Sequence, residues 1–67
     1  SVLYNIACVF AREELPAEAV TALRKAIDNG FGHWRWIEND TDLDPIRNNP
    51  GFAELLARKP TASAAAS

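Results

Sequence analysis

Apolar residues recur three and four positions apart through the first half of the chain, and this spacing predicts two helices. The first is expected from Ser1 to about Arg12 and the second from Pro16 to about Asn29. Because an α-helix turns once in about 3.6 residues, residues at this spacing share one face. The two apolar stripes are Val2, Leu3, Ile6, Val9 and Phe10, and Ala19, Val20, Leu23, Ala26 and Ile27.

Local signals predict where these helices begin and end. Pro16 suits the first turn of a helix, where its missing N–H needs no partner. Gly30 follows the second stripe and suits the left-handed residue that ends a helix. The three residues between the helices, 13–15, are therefore expected to form a turn.

The second half of the chain predicts shorter helical segments. His33 to Asn39 is expected to form a third helix, and Asp40-Thr41-Asp42 can cap a further turn that reaches Ile46. The last helix is expected from Pro50 to about Arg58. No stretch alternates β-branched or aromatic residues with polar ones, so the predicted fold class is all-α.

The apolar spacing and the composition of the last residues together predict three regions. Residues 1–29 form a helical hairpin, residues 30–59 a shorter helical unit, and residues 60–67 a disordered tail. The tail is rich in Ala and Ser and has no large apolar side chain with which to form a core. The chain also starts inside an apolar-periodic segment without an initiator methionine, which predicts that it is the C-terminal piece of a longer protein.

The hairpin residues follow a spacing that known repeat proteins share. The first helix contains Leu3-x-x-Ile6-Ala7-x-x-Phe10, and the second contains Ala19-x-x-x-Leu23. This pattern resembles the tetratricopeptide (TPR) repeat, in which small residues let two antiparallel helices approach closely. The string Tyr4-Asn5-Ile6-Ala7-Cys8 is also similar to the Y-N-L-A-C string of bacterial TPR helices. The turn differs, because Glu14-Leu15-Pro16 replaces the usual glycine-containing turn.

Residues 30–59 do not repeat that pattern at a period of 34. They resemble instead the closing unit of bacterial TPR arrays. The residues that carry this resemblance are Gly30-Phe31 … Trp34-x-x-Ile37 … Asp42-Leu43-Asp44-Pro45-Ile46-Arg47 … Pro50-x-Phe52-x-x-Leu55-Leu56. Together the two resemblances imply a TPR-like antiparallel helical hairpin followed by short capping helices, which is the end of an α-solenoid.

The resemblance implies a function without catalysis. The chain would be a protein–protein interaction or scaffold module at the C-terminal end of a bacterial, cytoplasmic TPR array. The alternative is a regulatory or oligomerising C-terminal segment of a bacterial signalling enzyme, such as a class III nucleotide cyclase or a serine/threonine kinase. The sequence before Ser1 would separate the two.

Contact residues follow from the same resemblance. Stacked hairpins present a concave face, and the first helix of each contacts a protein or peptide. Asn5, Cys8 and Arg12 are the exposed candidates, and Asn5 matches a position that contacts the ligand backbone in peptide-binding TPR proteins. Cys8 alternatively suits a buried small hydrophobe.

Two tryptophans lie two positions apart, so on a helix they point in different directions. Trp34 shares a side with Ile37 and is expected in the core. Trp36, beside Arg35, is a candidate contact residue because Trp and Arg are enriched in interface hot spots. The alternative is that Trp36 packs on the second helix or on the last one.

The first helix is apolar over a wide arc formed by Leu3, Tyr4, Ile6 and Phe10. A single TPR hairpin cannot bury its apolar face alone. In an array, part of this arc would pack on the preceding repeat. In the chain by itself, the arc predicts self-association into a homo-oligomer or binding of a partner chain.

Candidate chemistry is sparse. His33 is the only histidine, and no nucleophile and orienting acid accompany it at a spacing typical of a hydrolytic triad. No enzyme activity is therefore predicted. The string Asp40-x-Asp42-x-Asp44 begins like a calcium loop. However, the sixth and twelfth positions are not the Gly and Glu that such a loop requires. No metal and no cofactor are predicted.

Charge and hydropathy narrow the class of partner. Seven basic residues are scattered among nine acidic ones, for a net charge of −2, whereas nucleic-acid binders usually carry a basic patch. No apolar run approaches the roughly 20 residues that span a membrane, and no basic leader precedes an apolar stretch. The expected partner is a protein or peptide, not a nucleic acid or a membrane.

Overall fold

The computed structural model describes residues 1–60, which form four α-helices and one 3-10 helix. In chain order these are α1 (Val2–Arg12), α2 (Pro16–Asp28), α3 (Trp34–Asn39), the 3-10 helix (Thr41–Ile46) and α4 (Pro50–Leu56). Within residues 1–60 there is no strand, so the predicted all-α class is confirmed. The disordered tail was predicted for residues 60–67, and residues 61–67 of it lie outside the described part.

The first two helices form an antiparallel pair joined by a tight turn. Ser1 caps α1, because its Oγ accepts the backbone N–H of Tyr4 at 3.4 Å. In the turn, Glu14 has a φ of 60°, and the N–H of Leu15 donates to the carbonyl of Phe10 at 2.9 Å. Glu14 therefore adopts the left-handed backbone that favours glycine.

Gly30 ends α2 as predicted, with a φ of 99°. The N–H of Phe31 donates to the carbonyl of Ala26 at 3.0 Å, and the N–H of Gly30 donates to that of Ile27 at 3.0 Å. These two bonds form a Schellman motif, which satisfies carbonyls that the helix end leaves free. The motif turns the chain back toward α1.

The later segments cover one side of the helical pair. The 3-10 helix packs against both α1 and α2, and α4 packs against α2. The largest fully buried side chains come from four different elements and are Leu23, Ile37, Leu43, Ile46 and Phe52. Since each short segment adds one or two large apolar side chains, this core depends on segments that are far apart in sequence.

The close approach of α4 to α2 requires a glycine at the start of α4. A β-carbon placed on Gly51 would lie 2.9 Å from Val20 Cγ1, which is shorter than ordinary contact. Asn49 caps the same helix by accepting the N–H of Gly51 at 2.8 Å. The predicted cap and start of α4 are confirmed, whereas the helix ends at Leu56 and not at Arg58.

Candidate protein-interaction surfaces

A groove lies open between α1 and α2, and we call it the open groove. The volume of the open groove is about 380 Å³. From α1 it is lined by Leu3, Ile6 and Phe10, and from α2 by Ala17, Glu18, Thr21, Ala22 and Lys25. All of these residues belong to the helical pair, so the segments after Gly30 do not form its walls.

The open groove has an apolar wall, a floor of small residues and a charged rim. Ile6 keeps 39% of its surface exposed, while Leu3 and Phe10 are half-buried. On the floor, the hydroxyl of Thr21 donates to the carbonyl of Ala17 at 2.9 Å, so this polar group already has a partner. Small residues allow another helix to approach closely. The arrangement therefore suits an apolar helical ridge.

The structure brings three of the four predicted self-association residues together and separates the fourth. Leu3, Ile6 and Phe10 line the open groove, but Tyr4 is only 4% exposed and lies on the covered side of α1. The placement of Tyr4 on a self-association surface is therefore wrong, because its ring packs inside the chain. Sequence reasoning missed the contribution of α2, although Glu18 and Lys25 are two helical turns apart on one face.

Four aromatic rings meet where α1, the 30–33 connector and α3 come together. We call this group the aromatic junction: Tyr4, Phe31, His33 and Trp36. Tyr4 stacks on Phe31 with ring centroids 4.5 Å apart, and His33 stacks on Trp36 at 4.7 Å. Trp36 also lies 6.1 Å from Tyr4 in a tilted arrangement. Such stacked and tilted pairs stabilise a fold beyond the area that they bury.

Asp40 lies beside the aromatic junction and joins α3 to the 3-10 helix. Its Oδ2 accepts the hydroxyl of Tyr4 at 2.7 Å and lies 3.9 Å from Cys8 Sγ. Its Oδ1 accepts the N–H of Asp42 at 3.0 Å, which caps the 3-10 helix as predicted. One carboxylate therefore ties the covering segments to α1.

The surroundings shift the pKa values of the Asp40 carboxyl, the Tyr4 phenol and the Cys8 thiol. The hydrogen bond from Tyr4 lowers the pKa of Asp40 below its usual range, against the opposing effect of burial. Burial, followed by the hydrogen bond to Asp40, raises the pKa of the Tyr4 phenol. Burial and the negative charge of Asp40 also raise the pKa of the Cys8 thiol. Near neutral pH the site thus holds a carboxylate with a neutral phenol and a neutral thiol.

Three possible metal ligands occur together at this point. One ligand atom each from Cys8, Asp40 and Asp42 lie within 4.8 Å of one another, a group that the sequence analysis did not identify. Metal binding by cysteine requires the thiolate, whereas the raised pKa keeps Cys8 protonated. Both oxygens of Asp40 already accept hydrogen bonds. These contacts make Asp40 a structural cap that bonds Tyr4 of α1 and the first turn of the 3-10 helix.

The structure exposes two of the three contact residues predicted on α1 and buries the third. Asn5 and Arg12 are exposed, so they are available to a ligand. Cys8 is only 6% exposed, and its expected exposure is wrong. The reason is its position one turn after Tyr4, on the side of α1 that the 3-10 helix covers. Its alternative interpretation, as a buried small hydrophobe, is confirmed.

Arg35 and Trp36 are brought together in a shallow cleft of about 360 Å³, with Asn39 and Asp40. Trp36 is 54% exposed, and its aromatic neighbours lie on α1 and the 30–33 connector, not on α2 or α4. Trp34 packs against the core but is only half-buried, whereas Ile37 beside it is fully buried. An exposed indole next to a guanidinium is a suitable contact surface.

Comparisons with known proteins add one partial similarity. No protein-family model matches the chain, and no solved structure gives a significant match. Among curated proteins, it is similar to a chloroplastic protein of Arabidopsis thaliana, with 30% identity over 53 residues. The match covers 79% of this chain but only 16% of the length of that protein. None of the helices in residues 1–60 is long and apolar enough to cross a membrane.

Proposed function

We propose that this chain is a non-catalytic protein–protein interaction module whose open groove packs against another α-helical hairpin. The observation that carries this proposal is the unequal covering of the helical pair. One side is filled by the chain's own later segments, while the open groove keeps an apolar wall in contact with solvent. Burying such a wall is favourable by about 25 cal/mol for each Å² removed from water.

The TPR resemblance supports a hairpin as the occupant. In a TPR array every hairpin packs on the next, and a terminal unit protects the last one from solvent. In this proposal the helical pair is TPR-like and residues 30–59 are that closing unit. The open groove then receives the neighbouring hairpin, and the chain forms the end of an α-solenoid.

The lining of the open groove also indicates what kind of helix it accepts. Helices that bind grooves do so through apolar side chains at positions i, i+3, i+4 and i+7. Ala17 and Ala22 leave room for such side chains, while Glu18 and Lys25 select charges at the two ends. Asn5, Arg12 and Trp36 stay exposed outside the groove and are the candidates for a further peptide contact.

A tandem chain tests this function. Residues 1–34, which match one TPR period, are repeated ahead of Ser1, and urea unfolding is followed by circular dichroism. We expect the added hairpin to raise both the unfolding midpoint and its denaturant dependence in one cooperative transition. Ile6→Glu in the second hairpin should remove that gain.

Val9→Glu is the matched control for this experiment. Val9 is also exposed on α1, at 45%, but it does not line the open groove. The control should therefore keep the gain in stability. Two separate unfolding transitions, or a gain that survives Ile6→Glu, would contradict docking of a hairpin in the groove.

A further inference from the structure

We infer that the hairpin that fills the open groove is that of a second copy of this chain, packed antiparallel about a two-fold axis. This inference rests on the proposed function and names the partner for the same groove. A two-fold interface uses one surface twice, so the surface must be complementary to itself after the rotation. The open groove meets this condition on both of its helices.

On α1, the apolar wall is nearly symmetric about its central residue. Leu3 lies three residues before Ile6, and Phe10 lies four residues after it. An antiparallel rotation about Ile6 places Ile6 against the partner's Ile6, and Leu3 against the partner's Phe10. Each apolar side chain of the wall then faces an apolar side chain.

On α2, opposite charges flank a centre of small residues. Glu18 and Lys25 are both exposed, and neither takes part in the ion pairs found within residues 1–60. They are seven residues apart, which is about 10.5 Å along a helix. Rotation about Thr21 and Ala22 places Glu18 against the partner's Lys25, and Lys25 against the partner's Glu18.

One two-fold axis can pass through both the centre on α1, at Ile6, and the centre on α2, at Thr21 and Ala22. The turn is centred on Glu14, and α1 and α2 run antiparallel away from it. Ile6 lies eight residues before Glu14, while Thr21 and Ala22 lie seven and eight residues after it. The apolar centre of α1 is therefore level with the small-residue centre of α2, to within about one residue rise of 1.5 Å.

Charge complementarity selects the antiparallel arrangement over the parallel one. In a face-to-face pair with parallel hairpins, α2 would pack on the partner's α1. Glu18 would then lie beside the partner's Phe10, and Lys25 beside the partner's Leu3. Both charges would lose water without gaining a counter-ion, which is costly. The antiparallel pair instead matches charge with charge and apolar wall with apolar wall.

Sedimentation equilibrium of the 67-residue chain tests the pairing. The wild-type chain should be a helical dimer, and Ile6→Glu should weaken dimerisation at least about 30-fold, the loss typical of a hot-spot residue. Val9→Glu introduces the same charge on the same helix outside the groove and should leave the dimer intact. Circular dichroism of each variant confirms that the helices persist.

Charge exchange tests the antiparallel register. Glu18→Lys alone and Lys25→Glu alone should each weaken the homodimer about tenfold, because both ion pairs become like-charge contacts. An equimolar mixture of the two variants should form a heterodimer as tight as the wild-type dimer. The double variant E18K/K25E should likewise dimerise as well as the wild type.

The outcomes separate the pairing from the proposed function. A monomeric wild-type chain, or a dimer insensitive to Ile6→Glu, would overturn the pairing. If the tandem chain still gains stability in that case, docking of a hairpin stands and only the second copy is excluded. A dimer that responds to Ile6→Glu but shows no preference for the mixed charge variants would overturn the antiparallel arrangement.

Discussion

The two sides of the α1–α2 pair differ in what covers them. On the covered side, Leu23 of α2 is fully buried in a core that also contains Leu43 and Phe52. On the other side, Ile6 remains 39% exposed in the open groove. Both sides are apolar by sequence, so apolar character alone does not decide burial. The difference lies in which side the later segments reach.

The covered side is also the side that local polar contacts hold in place. Arg47 donates from Nη2 to the carbonyl of Asp40 at 2.7 Å and from Nη1 to that of Ile37 at 3.2 Å. Its guanidinium lies 5.6 Å from the ring centre of Phe52 on α4. One side chain thus connects α3, the 3-10 helix and α4. The open groove has no comparable contact within residues 1–60.

The largest difference is expected between two truncations, one on each side of the α1–α2 pair. Phe52→Ala removes a fully buried ring and should cost about 3–5 kcal/mol. A core of this size supplies only about 3–5 kcal/mol in total, so the variant should be largely unfolded. Ile6→Ala should cost about 1 kcal/mol or less, since the side chain is partly exposed. Urea unfolding at low protein concentration measures both, because pairing then contributes little.

Comparable losses in these two variants would break the distinction between the sides. A small loss for Phe52→Ala would mean that the covering segments contribute little to stability. A large loss for Ile6→Ala, measured where the chain is monomeric, would mean that the open groove is part of the folding core and not a binding surface.

A second prediction concerns Arg47, which holds the covering segments. Arg47→Lys keeps the charge but loses the planar fork that bonds two carbonyls and Asp44 at once. We expect a loss of about 2 kcal/mol in the free energy of unfolding. Arg58→Lys is the matched control, because Arg58 makes a single exposed ion pair with Asp28 at 2.9 Å. The control should cost less than about 0.5 kcal/mol, and equal losses would refute the role of Arg47.

A third prediction uses pH at the Tyr4–Asp40 contact. The pKa of Asp40 is lowered in the fold, so its stabilising effect is present above about pH 4, its unfolded value. That effect is lost as pH falls through the lower folded value. Tyr4→Phe should cost about 1.5 kcal/mol at pH 7 and less at about pH 3, because below the unfolded pKa of Asp40 the unfolded wild-type chain takes up the proton more readily than the folded one. An equal cost at both pH values would show that the bond does not involve the carboxylate.

At alkaline pH the dependence is reversed, because stability is expected to fall as pH rises. The pKa values of Tyr4 and Cys8 are raised in the fold. Their contribution is therefore complete below their unfolded values, which are about 10 and about 8.5. It should be lost as pH rises above those values, and Cys8→Ala should remove the part that begins near pH 8.5. Urea midpoints measured from pH 7 to pH 11 test this order.

The sequence predicted the local features of the fold better than the long-range ones. The ends of α1 and α2, the left-handed Gly30 and the caps at Asp40 and Asn49 follow from residues within a few positions. Burial of Cys8 could not be predicted in this way. It depends on the side of α1 that the 3-10 helix covers, and that segment lies more than thirty residues later.

The candidate surfaces show the same limit. The periodicity of α1 predicted Leu3, Ile6 and Phe10 as an apolar surface, but it could not separate them from Tyr4. Tyr4 is drawn inward by Asp40, a partner 36 positions away. The periodicity of one helix also cannot show that residues of α2 complete the groove. That result requires the register of the two helices, which the turn sets.

The smallest expected effect lies in that turn, which connects both sides. Glu14 has a φ of 60°, and a left-handed backbone costs a residue with a side chain about 1–2 kcal/mol. Glu14→Gly removes this cost but adds about 0.5–1 kcal/mol of entropy loss on folding, so the variant should be more stable by up to about 1.5 kcal/mol. Glu13→Gly is the matched control, because the φ of Glu13 is −80° and glycine there should destabilise. If the turn only sets the register, Glu14→Gly should raise the urea midpoint without changing dimer affinity. A change in dimerisation would instead mean that the turn residue itself contributes to the open groove.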